Sequence, residues 1–175
     1  MWLTVLIVIA VIVAAVLIAA ALRPGDFAVQ RRIAIRAAPA NISPMLADFG
    51  QWPGWSPWEK LDPAMKRTLS GAPEGTGAVY AWEGSSKVGA GRMEIKEAAA
   101  PSKIVIQLDF LRPFEAHNIT EFTLLPRGDA TDVTWLMRGP APFMSKLMSV
   151  FVSMDKMIGK DFEKGLANLK AAVEA

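Results

Sequence analysis

The chain has 175 residues and no cysteine, with 19 Lys plus Arg against 17 Asp plus Glu. So even a balance leaves no basic footprint for nucleic acid, and the lack of cysteine excludes disulfides, thiolate catalysis and thiolate metal sites. Beyond an apolar N-terminal stretch, the length suits one domain, large enough for a real core and too small for two.

From Trp2 to Leu22 there is no charge, no proline and no glycine. A helix over these positions would be roughly 31 Å long at about 1.5 Å per residue, enough to cross the hydrocarbon layer. Trp2 and Arg23 flank it with residue types that favour the two interfaces. Ala19, Ala20 and Ala21 would also suit a cleavage site, but the segment lacks a basic n-region and its apolar run exceeds the usual h-region. The expectation is therefore a retained single-pass anchor over residues 1–23. Arg23, Arg31, Arg32 and Arg36 follow the span and no basic residue precedes it, which favours a cytoplasmic domain.

Residues 24–26 read as a short linker built on Pro24 and Gly25. From Phe27 to Arg36 the pattern alternates, with Phe27, Val29, Arg31, Ile33 and Ile35 on one side, and predicts a strand in which Arg31 is the exception on its face. Pro39 to Phe49 suits a short helix with Ile42, Met45, Leu46 and Phe49 on one face. An aromatic, proline-rich turn follows from Gly50 to Trp58.

Six strands are predicted over residues 65–70, 77–83, 87–98, 103–111, 115–126 and 131–138. Their separators are rich in Gly, Pro, Ser and Asp, and too short for crossover helices, so the sheet should be antiparallel. After Gly139 and Pro140 the period changes. Phe143, Leu147, Phe151, Met154, Ile158, Phe162, Leu166, Leu169 and Val173 recur every three or four residues and predict one long amphipathic helix resting on the sheet.

Particular residues sharpen this layout. They are Gln51-Trp-Pro-Gly-Trp-Ser-Pro-Trp58, Asp62-Pro63, Gly75-Thr-Gly77 with Tyr80-Ala-Trp82-Glu-Gly84, Gly89-Ala-Gly91-Arg-Met93-Glu-Ile95, and the stretch from Gly159 to Leu169. Together they resemble the polyketide cyclase/dehydrase-type members of the START and Bet v 1-like (SRPBCC) superfamily, in the small bacterial form with an N-terminal membrane segment. The resemblance covers about residues 27–175. It implies an α+β helix-grip fold, a curved antiparallel sheet of about seven strands around a long C-terminal helix, and a domain over 27–175 that binds hydrophobic small molecules between sheet and helix. Only some members catalyse a reaction, and no catalytic residue carries over.

Cavity candidates follow from shared faces. Trp55 and Trp58 belong to an aromatic cluster with Trp52 that would sit at a pocket mouth or pack the short helix onto the sheet. Tyr80 and Trp82 share one strand face, and Gly91 and Met93 another, where glycine either bends the strand or leaves space. Phe110, Trp135 and Met137 from later strands, and Phe151, Met154 and Ile158 from the helix, complete the set. Methionine suits an adaptable wall, and the same residues would equally make a filled core. A lined cavity should measure roughly 300–1,000 Å³.

His117 is the only histidine, which excludes a His-rich zinc site, and neither a cofactor nor a metal is expected. Asp109, Glu115 and Glu121 would serve as acids or bases only if buried. Ser153 and Lys156 match Ser-x-x-Lys without the accompanying elements, and no P-loop, dinucleotide fingerprint or Gly-x-Ser-x-Gly elbow is present. The favoured function is membrane-tethered binding of a hydrophobic or amphipathic small molecule, lipid-like or isoprenoid-like. A cyclase or dehydratase would require a buried ionisable group with a shifted pKa, with Arg31, Arg92, Glu94 and His117 as candidates. A protein-interaction module with a filled core is the third reading.

Overall fold

The computed structural model describes residues 1–175. Helix α1 (Trp2–Ala21) is apolar around its whole circumference and solvent-facing except at Val16, Ala19 and Ala20. In length and composition it is able to cross a membrane, a test that a signal sequence near the N-terminus also passes.

Strand β1 (Asp26–Ile35) leads into α2 (Pro39–Ala47) and a 3₁₀ turn (Phe49–Gly54). The strands β2 (Lys66–Gly71), β3 (Ala78–Glu83), β4 (Ala90–Ala99), β5 (Lys103–Arg112), β6 (Ala116–Arg127) and β7 (Ala130–Pro140) follow. All neighbours are antiparallel, in the order β1-β7-β6-β5-β4-β3-β2. The hairpins close where turn chemistry allows it. Between β6 and β7, Arg127 pairs with Ala130 across a two-residue turn in which Gly128 takes φ 63°, a conformation glycine adopts without a Cβ penalty. Register shifts in β4, at Ala90/Gly91 and Ile95/Glu97, are where the sheet bends, since an extra residue kinks one strand and raises its twist.

Alternation along the strands puts Val29, Ile35, Tyr80, Ile95, Ile104, Ile106, Phe122, Leu124, Val133 and Trp135 on one buried face. Against that face lie α2, the 3₁₀ turn and the helix α4 (Met154–Val173), which buries Phe162, Leu166 and Leu169. This is the helix-grip fold expected from the residues.

One long helix over 143–173 was the expectation, and two are found. Helix α3 (Phe143–Ser149) buries no side chain and ends before α4 begins. The physical reason lies at Ser153, whose hydroxyl accepts from the Lys156 N–H at 3.3 Å and caps a new helix with Asp155 in its first turn. A serine cap followed by an acid is a start signal that the continuing apolar period masks. Phe143 and Phe151 consequently face solvent instead of resting on the sheet.

Arg31, the charged residue on the inward side of β1, now has an account. Its guanidinium donates to Asp155 at 2.7 and 3.0 Å and to Glu163 at 2.6 Å. Asp155, Gly159 and Glu163 recur every four residues and so share one face of α4. A Cβ at Gly159 would fall on that guanidinium. Toward the other end, Lys170 Nζ donates to the Ala34 carbonyl at 2.8 Å and the Arg36 N–H donates to Glu174 at 2.7 Å. The helix is pinned along β1.

Candidate ligand cavity

Because α4 is fastened to β1, the part of the inner face of β3, β4 and β5 that α2 and the 3₁₀ turn do not cover is left without a helix across it. A cavity of about 260 Å³ occupies that space, with 14 of its 19 lining residues hydrophobic. Tyr80 and Trp82 come from β3, Met93 from β4, and Leu108 and Phe110 from β5. Thr120, Trp135 and Met137 come from β6 and β7, and Ile158, Asp161 and Phe162 from α4. The loop after the 3₁₀ turn closes one side with Trp58, Glu59, Leu61 and Met65, together with Trp52 and Ser56. The β3–β4 turn contributes Lys87 and Val88. The volume lies just under the usual range of ligand sites.

Aromatic rings hold the wall rigid. Trp135 stacks on Phe162 with centroids 4.1 Å apart, and Trp58 meets both of those rings edge-on at 5.6 and 6.1 Å. Trp82 Nε1 donates to the Val88 carbonyl at 3.0 Å, which fixes its indole against the turn. Trp135 Nε1 is buried without a hydrogen-bond partner, enclosed by other rings.

The polar part of the lining is small and specific. Glu59 is 7% exposed; its Oε1 accepts from the Tyr80 hydroxyl at 2.6 Å and its Oε2 from Arg67 Nε at 2.5 Å. Arg67 Nη2 also donates to the Glu59 carbonyl at 2.7 Å. Burial, and then the neighbouring Glu59 carboxylate, push the Tyr80 hydroxyl well above its ordinary range. The bond to Glu59 likewise raises Arg67. Ser56 and Thr120 are buried in the same lining.

Eight of the sequence candidates meet at this cavity: Trp58, Tyr80, Trp82, Met93, Phe110, Trp135, Met137 and Ile158. Four do not. Trp55 is fully buried, donates from Nε1 to the Met45 carbonyl at 3.1 Å and ties α2 to the core. Gly91 opens no space. A Cβ there would fall on the Trp82 indole and 2.6 Å from the Asp109 carbonyl oxygen, so the glycine's room is already taken by its cross-strand partner. Phe151 is 73% exposed between α3 and α4. Met154 packs against the edge of the core and outside the cavity lining.

The ionisable candidates for catalysis also lie elsewhere. Arg31 holds α4, and Arg92 pairs with Glu94 at 2.8 Å on alternate positions to Gly91 and Met93, the opposite face of β4. His117 Nδ1 lies 2.8 Å from Asp109. The pairing raises the imidazole, while hydrogen bonds from His117 and Gln107 outweigh burial and lower Asp109.

Glu59, Arg67, Ser56 and Thr120 had no sequence prediction. The available signal was Tyr80: a lone tyrosine on an inward strand face needs a partner for its hydroxyl. A second depression, about 300 Å³ along the edge strand β2 and lined by Phe49, Leu69 and Pro73 among others, carries no charged side chain and lies away from the sheet–helix interface.

A curved sheet gripping a helix, with an apolar cavity between them, defines a protein of the helix-grip fold. The chain belongs to the polyketide cyclase/dehydrase and lipid transport family, whose model matches residues 26–174. No curated protein matches the sequence. Among solved structures it is similar to protein CV1439 from Chromobacterium violaceum, at 14% identity and a TM-score of 0.60, covering 87% of this chain and 99% of that one. It is also similar to the KanY protein, at 16% identity and a TM-score of 0.64, covering 87% and 100%. Protein MLL2253 from Mesorhizobium loti shares 14% identity with a TM-score of 0.59, covering 85% and 97%. At these identities the likeness is one of fold. Membership suggests a hydrophobic small molecule as ligand.

Proposed function

We propose that the protein binds an apolar or amphipathic small molecule in the sheet–helix cavity, beside a membrane that α1 spans once. The observation that carries this reading is the cavity itself, apolar along most of its wall with a small polar region at Glu59, Tyr80, Ser56 and Thr120. Such a lining suits a ring or short chain bearing one polar group, and the volume accommodates only that portion of a larger lipid. The rest would project past Leu61 and Lys87, the exposed members of the lining. Tethering adds a second advantage, because a ligand dissolved in the bilayer meets a domain already held next to it. With Arg23 directly after the span, the positive-inside tendency favours a cytoplasmic domain.

An enzymatic reading requires an ionisable cavity group tuned toward neutrality. Tyr80, raised by burial and by the neighbouring Glu59 carboxylate, does not supply one. The test is extraction and mass spectrometry of full-length protein purified gently from its native host, beside a Met93→Trp variant that fills the cavity. An enriched apolar molecule, lost in the variant, is the expected result. Equal recovery from both proteins, or no bound molecule in either, overturns the reading.

A further inference from the structure

The end of the sheet where α1 joins it collects exposed apolar side chains that no core uses. Asp26 opens β1 opposite Pro140, and the Ala141 N–H donates to the Gly25 carbonyl at 2.8 Å. The start of β1 and the end of β7 therefore sit where α1 exits. Helix α3 follows directly and packs against α1. The covered positions of α1 are Val16, Ala19 and Ala20, one face of its last turns. At about 1.5 Å per residue, these lie within roughly 9 Å of the helix end at Leu22. That is the depth at which interfacial helices ride, about 5–10 Å into the headgroup boundary.

Helix α3 has the composition for that position. It exposes Phe143, Met144 and Met148, and Phe151 and Val152 follow it into the linker. The end of β5 adds Leu111 and the β5–β6 turn adds Phe114, the latter 67% exposed. That turn lies at the same end, because Phe110 pairs with Ala116, and a Cβ on Gly139 would meet Asn118 and the His117 carbonyl. Exposed charges of both signs stand at this end, Arg23, Arg112 and Lys156 beside Asp26, Glu115 and Asp155, with Arg112 paired to Glu83 at 2.9 Å. A water-facing domain rarely gathers so many large apolar groups, whereas an apolar patch flanked by charged residues and continuous with a spanning helix suits the bilayer interface.

We infer that α3 and the β5–β6 turn form a second membrane contact, dipping Phe151, Phe114 and their apolar neighbours into the same bilayer that α1 spans. The inference rests on the anchor reading above, and it fixes the orientation of the domain. Lys87 and Val88 of the β3–β4 turn, with Phe110 and Ile158, belong to the same end, since Glu83 pairs with Ala90 and Ala90 with Arg112. The cavity then opens toward lipid, and its ligand passes from bilayer to protein without crossing water.

The absence of native cysteine makes the test direct. Ile9→Cys, Phe114→Cys, Phe151→Cys and, at the opposite end of the sheet, Glu74→Cys are made singly in the full chain and labelled with an environment-sensitive fluorophore. Each is reconstituted into phosphatidylcholine–phosphatidylglycerol vesicles. Quenching by lipid-borne nitroxide is compared with quenching by aqueous iodide. Labels at 9, 114 and 151 should be blue-shifted and quenched several-fold more by the lipid nitroxide than the label at 74. Labels at 114 and 151 that behave like 74, with 9 in lipid, overturn the docking and leave the anchor standing. A label at 9 accessible to iodide overturns both. Labels at 114 and 151 shielded from both quenchers show the face covered by protein, a second copy or another partner, and also overturn the docking.

Discussion

Replacing Glu59 by glutamine removes a charge from the cavity wall while keeping its shape. The carboxylate accepts from Tyr80 and Arg67 on separate oxygens, whereas an amide offers one acceptor and one donor. If the amide oxygen stays with Arg67, the Tyr80 hydroxyl must turn and accept from the NH2. If it stays with Tyr80, Arg67 Nε faces a donor. A charge-assisted hydrogen bond contributes about 1.5–3 kcal/mol net against about 1 kcal/mol for a neutral one. The Arg67 side chain is 32% exposed, so water recovers part of the loss, and its bond to the Glu59 backbone survives the substitution. The expected cost of Glu59→Gln is about 1–2 kcal/mol in urea unfolding, with the m-value unchanged. Glu59→Ala, which strands the Tyr80 hydroxyl as well, should cost about 2–4 kcal/mol. Tyr80→Phe should then cost markedly less in the Glu59→Ala background than alone, because its hydroxyl has already lost its acceptor. A Glu59→Gln change within the ~0.5 kcal/mol typical of surface substitutions, or strict additivity of Glu59→Ala with Tyr80→Phe, would refute the reasoning.

Gly91→Ala should destabilise by about 1–3 kcal/mol through crowding, because the new methyl meets the Trp82 ring and a backbone oxygen that has no alternative rotamer; unchanged denaturant stability would show that β4 yields there. Tyr80 is the single tyrosine, so alkaline titration by tyrosinate absorbance reads it alone. Its pKa is raised in the fold, so its contribution is fully present below the unfolded value of about 10 and is lost as pH rises beyond it toward the folded value; a folded protein that ionises at about pH 10 would contradict the buried Glu59 contact.

The fold was legible because its signals are local. Period-two runs separated by turn residues mark the strands, and the face shared by Tyr80 and Trp82, or by Trp135 and Met137, is a matter of alternation that survives any tertiary arrangement. The cavity was legible only where that alternation reaches it. Glu59 sits in a loop with no period, so nothing along the chain marks it as inward. Trp55 and Trp58 are one 3₁₀ exit apart, and the loop path sends one into the core and the other to the cavity. Gly91 faces inward as expected, yet whether its space stays open depends on the register that sets Trp82 opposite it. Phe151 continues an apolar period whose helix has already been interrupted at Ser153.

The same asymmetry explains why a cavity exists in so small a domain. A helix centred over the concave sheet would bring apolar side chains to every strand and fill the space between them. Here Arg31, with Asp155 and Glu163, draws the N-terminal half of α4 toward β1, and Lys170 and Glu174 fasten the C-terminal half along the same strand. Phe162, Leu166 and Leu169 seal the helix against Trp135 and the loop tryptophans, while the ends of β3, β4 and β5 that carry Trp82, Met93, Leu108 and Phe110 face the helix across open space. Rigid edge-on rings keep that space from collapsing, since a stacked Trp135–Phe162 pair cannot follow a receding wall as a flexible aliphatic core would. Polar pinning of the helix at one edge of the sheet is thus what leaves the cavity open at the other.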